Sequence, residues 1–115
     1  MEIRQRESKQ AVVLELQGDL TYDNRTAFKD AVEQVKKTGC RHIIFDMEQV
    51  QFLDSSGLGL LALLSQNLKL SQVRLSLVNP QSYVREILAL ANISKLIPIH
   101  NSESDALTSK SDAAA

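Results

Sequence analysis

Residues 42–59, His42-Ile43-Ile44-Phe45-Asp46-Met47-Glu48-Gln49-Val50-Gln51-Phe52-Leu53-Asp54-Ser55-Ser56-Gly57-Leu58-Gly59, decide how the chain is read. The first part, His42 to Met47, is short and largely apolar, which suits a central strand buried on both faces. Glu48 to Leu53 reads as a connection. Asp54-Ser55-Ser56 then opens an apolar segment reaching about Leu70. That segment is too long and too rich in Leu and Ala for a strand, and is read as a buried helix.

On the N-terminal side, Gln10 to Gln17 holds the β-formers Val12, Val13, Leu14 and Leu16, and Gly18-Asp19 closes it as a strand. Ile3 and its neighbours are expected to pair with it as a short first strand. Asp23 or Asn24 is expected to cap a helix whose apolar residues Ala27, Phe28, Ala31, Val32 and Val35 keep helical spacing. Lys36 and Lys37 suit its negative end, and Gly39 is its stop. On the C-terminal side, Val73 to Val78 alternates and ends at Asn79-Pro80 as another strand. Pro80 is expected to begin the next helix, which carries Val84, Ile87, Leu88 and Ala91 on one face. Ile97-Pro98-Ile99 reads as a short strand, placed at an edge by Pro98. Ser102 to Leu107 reads as a last short helix, and Ser109 to Ala115 as a frayed tail. Helices alternating with strands imply crossovers and a largely parallel sheet. The expectation is one α/β domain over residues 1–108, with a mixed, mainly parallel sheet and a disordered tail over 109–115.

Composition narrows the function. With 115 residues there is room for one compact domain. The net charge is −1 and the two signs are interspersed along the chain, so neither a phosphate backbone nor an anionic membrane is an expected partner. There is no Trp, and three Phe and two Tyr offer few stacking platforms for single-stranded nucleic acid. Cys40 is the only cysteine, which leaves no intrachain disulfide and no cysteine-based structural metal site. The charged start Met1 to Glu7 is unlike a signal peptide, and the longest apolar run, Leu58 to Leu64, is far short of the ~20 residues of a membrane span. A cytoplasmic protein is expected, as a monomer or weak dimer, with no cofactor and no metal.

The chemistry sits in the turn that opens the Asp54–Leu70 segment. The C-terminal ends of parallel strands are where open α/β sheets carry functional loops. A helix N-terminus there offers free N–H groups and about half a positive charge, so an anion is stabilised. A phosphate on Ser55 would add ~2 negative charges at a place that tolerates them. Asp and Ser are also the commonest N-caps, so capping alone accounts for Asp54, Ser55 and Ser56. Gly57 and Gly59 ask for more, because each costs about 1 kcal/mol relative to Ala inside a helix. They are expected to let another surface approach the backbone closely.

Asp54-Ser55-Ser56-Gly57-Leu58-Gly59, after Phe52-Leu53 and a strand ending near Asp46, resembles the signature of STAS-domain anti-sigma-factor antagonists. Leu16-Gln17-Gly18-Asp19-Leu20 resembles the family's turn after the second strand, and Arg41-His42-Ile43-Ile44 its third strand. Val78-Asn79-Pro80 and Val84-Arg85-Glu86-Ile87-Leu88 resemble its later strand and helix. The resemblance implies that Ser55 is the phosphoacceptor of a partner switch. The unphosphorylated form would bind an anti-sigma factor that is also a serine kinase of the Bergerat ATP-binding type. Phosphorylation would end that binding, and a metal-dependent serine phosphatase would reverse it. The implied partner surface is Asp19, Thr21, Asp23, Asp54, Ser55, Ser56, Gly57, Leu58 and Gly59. One position departs: Thr21 stands where the family commonly carries Asp, so either Asp23 substitutes or the loop recognises its partner differently.

Other readings compete. Gly57-Leu58-Gly59-Leu60-Leu61-Ala62 matches a dinucleotide fingerprint, but no strand runs directly into the glycines and the next strand ends at Asn79 rather than at an acid. A serine hydrolase would need His42 or His100 beside Ser55 or Ser56, and no Gly-x-Ser-x-Gly elbow is present. His42 is read as partly exposed and His100 as a surface residue. Asp46 with Asp54, or Cys40 with His42, is too sparse for a metal site. Two alternatives stay open: a STAS module whose Ser55 is never phosphorylated, or a phosphoswitch acting on a signalling enzyme. If Leu58 faces solvent it is an interface anchor, and otherwise a core residue.

Overall fold

The computed structural model describes residues 1–8 and 11–108. In chain order the elements are β1 (Glu2–Ser8), β2 (Ala11–Gln17), α1 (Arg25–Lys36), β3 (His42–Gln49), α2 (Ser55–Leu70), β4 (Arg74–Val78), α3 (Ser82–Leu90), β5 (Ile99–His100) and α4 (Glu103–Thr108). Short 3-10 turns, Tyr22–Asn24 and Ile93–Lys95, precede α1 and follow α3. The sheet order is β1-β2-β3-β4-β5, with β1 antiparallel to β2 and the other pairs parallel. The expected mixed, mainly parallel α/β sheet is therefore present. The expected tail, 109–115, lies outside the described residues, as does Gln10.

Each crossover joins neighbouring strands in one direction across the sheet, so a common handedness sends α1, α2 and α3 to one face. Alternation along the strands then sorts the core. Val12, Leu14, Leu16, Ile43, Phe45, Met47, Leu75 and Leu77 cluster with Phe28, Val32 and Val35 of α1, Leu61, Leu64 and Leu68 of α2, and Val84 and Leu88 of α3. Phe28 meets Phe45 edge-on at 4.9 Å, a geometry worth about 0.5–1.5 kcal/mol beyond area burial. The other face carries a smaller cluster, Ala11, Val13, Ile44 and Val78, closed by Ala106 of α4.

Covering both faces explains where the sequence reading fails. The strand read over Val73–Val78 begins at Arg74, and Leu75, Ser76, Leu77 and Val78 are all buried. His42 is not partly exposed but buried, its Nε2 lying 2.8 Å from Ser76 Oγ and its Nδ1 3.1 Å from Arg74 Nη2. Arginine only donates, so Nδ1 is the accepting ring nitrogen in its contact with Arg74. His100 is half-buried rather than superficial. Pro80 does not begin α3. The chain leaves β4 through Asn79 at φ 57°, and Gln81 takes the N-cap position. Of the expected α3 face, Ala91 is exposed beyond the helix end. Ile97 is a buried loop residue ahead of β5, while Pro98 accepts from the Leu77 N–H at that edge. Asn24 holds the N-cap position of α1 without side-chain capping; its amide donates to the Asp19 carbonyl instead.

α4 is fastened by charge. Arg6 donates from Nε to Glu15 at 2.7 Å and reaches Glu103 with both terminal nitrogens, one of them at 3.1 Å. The Glu103 carboxyl is held below its ordinary 4.5, first by Arg6 and also by Ser8. Elsewhere the charges separate along the strand axis. Lys36, Lys37, Arg41, Lys69 and Arg74 lie where helices end and strands begin; Asp19, Asp23, Glu48 and Asp54 lie at the opposite edge. These two groups thus lie apart in space, with Arg25, at the start of α1 beside Tyr22, the exception on the acidic edge.

Candidate functional site

The site is built where the β2–α1 loop meets the start of α2. Pairing between β2 and β3 continues past the strand ends: Gly18 N–H donates to Gln49 O at 3.2 Å and Leu20 N–H to Phe52 O at 2.9 Å. Leu20 and Leu53, both buried, form an isolated parallel bridge, and Asp54 N–H returns to Leu20 O at 3.3 Å. Gly18 makes the turn possible with φ 114°, a backbone that side chains resist.

Asp54 is the N-cap of α2, with extended backbone. One carboxylate oxygen accepts from Gly57 N–H at 2.9 Å; the other accepts from Tyr22 N–H at 3.3 Å. The carboxyl is held below its ordinary 3.8, mainly by the Gly57 N–H and then by those of Tyr22 and Ser56. This one side chain therefore caps the helix and ties the preceding loop to it.

Ser55 is the first residue of α2 and is exposed. Ser56 is half-buried. The two glycines differ in kind. Gly57 is buried, and a Cβ there would lie 2.2 Å from the Leu20 carbonyl oxygen. The surface that approaches it is thus the chain's own loop, which corrects the expectation of an outside contact. A Cβ on Gly59 would meet nothing within 4 Å, and this residue is exposed. Leu58 is half-buried and packs on the core, so it is not a free-standing anchor. Asp19 and Asp23 are exposed and Thr21 half-buried on the tethered loop. The structure thus gathers all nine sequence-predicted residues around one helix start.

Three aromatic residues stand at this edge, of which Tyr22 and Tyr83 escaped the sequence reading and Phe52 entered it only as part of the motif. Tyr22 is 56% exposed, with the Arg25 guanidinium 3.6 Å from its ring centroid. Phe52 and Tyr83 stack at 6.4 Å and 19° between ring planes, and both are exposed. Gln81 Nε2 donates to Glu48 O at 2.7 Å, joining the start of α3 to the same connection. Tyr83 had a legible signal: it is a large aromatic off the apolar face of its helix.

The arrangement presents a hydroxyl on a positive helix end amid carboxylates. Asp54 is the side chain fixed beside Ser55, while His42 lies at the far end of β3 with Ser76. Among the described residues, no group of three or more His, Cys, Asp or Glu could hold a metal ion. Among the described residues no helix is long and apolar enough to cross a membrane.

Known proteins are similar to this chain in sequence and in fold. A STAS-domain-containing protein of Pseudomonas aeruginosa (strain UCBPP-PA14) is 34% identical over 90 residues, 78% of this chain and 88% of that one. The anti-sigma F factor antagonist of Paenibacillus polymyxa is 26% identical over 113 residues, 94% and 93% of the two chains. The anti-sigma factor antagonist SpoIIAA in its unphosphorylated form superposes with a TM-score of 0.76 at 22% identity, over 92% of this chain and 93% of that one. Its phosphorylated form gives a TM-score of 0.68 over 92% and 96%. The sequence pattern of the STAS domain matches residues 2–106, and the chain belongs to that family.

Proposed function

We propose that the protein is an anti-sigma-factor antagonist and not an enzyme, switched at Ser55. The unphosphorylated chain binds an anti-sigma factor that carries Bergerat-type serine kinase activity. ATP supplies the phosphoryl group, the Ser55 hydroxyl gives up its proton as the Oγ–P bond forms, and ADP leaves. A metal-dependent serine phosphatase returns the hydroxyl. A cytoplasmic location, where ATP is available and Cys40 stays reduced, fits this cycle. The carrying observation is that Ser55 is exposed at the first position of α2, beside a carboxylate whose two oxygens hold the helix and the Asp19–Asp23 loop together. Support also comes from the Paenibacillus relative, named as an anti-sigma F factor antagonist, and from SpoIIAA, known in both phosphorylation states.

The physical logic is electrostatic. The rim already carries Asp19, Asp23, Glu48 and Asp54. A dianion added there is unfavourable in any interface that desolvates it against these acids. Each ~1.4 kcal/mol of that penalty weakens binding tenfold. The test is phosphopeptide mapping by mass spectrometry on protein from its native cells, before and after phosphatase treatment. Phosphate on Ser55 that the treatment removes supports the switch. An unmodified Ser55 across growth and stress conditions rejects it in favour of a constitutive STAS module. With the partner in hand, Ser55→Ala is expected to bind persistently and Ser55→Asp to bind more weakly.

A further inference from the structure

The sequence makes α2 a helix buried all round; the structure buries one side of it. Gly57, Leu60, Leu61, Leu64 and Leu68 face the core. Ser55, Gly59, Leu63, Gln66 and Leu70, spaced four, four, three and four apart, form the outermost stripe, and all are exposed. Leu63 is 56% and Leu70 86% exposed. A surface helix ordinarily turns charge toward water. Here Lys69, on the flank, is the only charged residue of the helix. Two exposed leucines with a bare Gly59 between Ser55 and Leu63 form a contact face.

We propose that this face receives a second copy of the chain, α2 against α2, antiparallel about a two-fold axis beside Leu63. A closed two-fold contact requires a self-complementary stripe. About Leu63 this one complies: leucine meets leucine at the centre, each Leu70 reaches the other copy's Ser56, and each Asn67 lies over the other's Gly59, where no side chain stands in the way. Charge selects the antiparallel sense. The N-terminal end of α2 is acidic, with Asp54 and the tethered Asp23; the C-terminal end is basic, with Lys69 and with Lys36, whose Nζ lies 2.9 Å from Asn67 Oδ1. Antiparallel pairing sets each basic end on an acidic one and opposes the helix dipoles favourably. A parallel pairing would set lysine on lysine. One helix pair makes a small interface, so the dimer is weak.

The dimer covers Ser55. On the phosphoswitch reading, which this consequence requires and the dimer does not, the kinase acts on the monomer, and self-association competes with both modification and partner binding.

The test uses the purified, unphosphorylated full chain without kinase, in sedimentation velocity over a concentration series at low salt. A monomer–dimer equilibrium is expected. Leu63→Lys should abolish it, and Lys69→Glu should weaken it about tenfold, the equivalent of roughly 1.4 kcal/mol. In a Cys40→Ser background, Leu63→Cys should oxidise to a covalent dimer and Ser104→Cys, on the far side of the sheet, should not. Circular dichroism matching the parent certifies each variant as folded. A chain that stays monomeric throughout, or a dimer indifferent to Leu63→Lys, overturns the proposal. Neither result depends on whether Ser55 is ever phosphorylated.

Discussion

The carbonyl oxygen of Leu20 lies 2.2 Å from where a side chain on Gly57 would begin, which is closer than any real Cβ contact. The loop after β2 and the first turn of α2 are therefore packed backbone to backbone. Gly57→Ala is expected to force them apart, with an overpacking cost of about 1–3 kcal/mol. Gly59→Ala, four-sided in open space, should instead stabilise by up to about 1 kcal/mol. Urea titrations of the two variants should move in opposite directions; a parallel shift would show that the close approach is not what requires Gly57.

Asp54→Ala should lower stability by removing the N-cap of α2. It should also free the loop, because the Tyr22 N–H loses its acceptor. Hydrogen exchange should accelerate at Tyr22 as well as at Gly57. Acceleration at Gly57 alone would mean that the loop is held by Leu20 without help from the carboxylate.

Acid should loosen α4. The folded Glu103 carboxyl lies below its ordinary value of 4.5 because Arg6 holds the charged form. Its contribution is complete above that value and is lost as pH falls through the depressed native one. Asp54, lowered from 3.8, behaves in the same sense. Thermal melts of the parent should fall through this acid range, and Glu103→Gln should fall less steeply while starting lower at neutral pH. Equal slopes for the two proteins would dismiss the Arg6 clamp as a stabilising contact.

Ser76→Ala removes the hydroxyl that meets the buried His42 Nε2. Losing a hydrogen bond of this kind costs about 0.5–1.5 kcal/mol. Chemical denaturation should show a loss in this range with the fold preserved, whereas Ser104→Ala, on an exposed residue, should leave stability unchanged.

The alternation of helices and strands was legible because each element carries its own period. Val12 to Leu16, Phe28 to Val35 and Val84 to Leu88 announce their faces without tertiary knowledge. The Asp54 cap was legible for the same local reason. What stayed hidden depends on partners distant in sequence. His42 could not be read as buried without Ser76 and Arg74, its partners on β4. Gly57 is required by a carbonyl in the preceding loop, so its sequence context says only that a glycine is present. Phe52 and Tyr83 meet because Gln81 ties α3 to the connection after β3, a link with no local signature.

The two rims of the sheet also limit how it can be extended. β1 offers Glu2, Arg4, Arg6 and Glu7 along its seven residues, and β5 has two residues beside Pro98. Both are poor templates for strand addition. Recognition is thereby left to helix and loop surfaces. Stripping away residues 1–8 would change that at once. It would bare β2, whose Ala11-Val12-Val13-Leu14-Glu15-Leu16 carries a single charge, and turn a guarded border into a seed for cross-β aggregation.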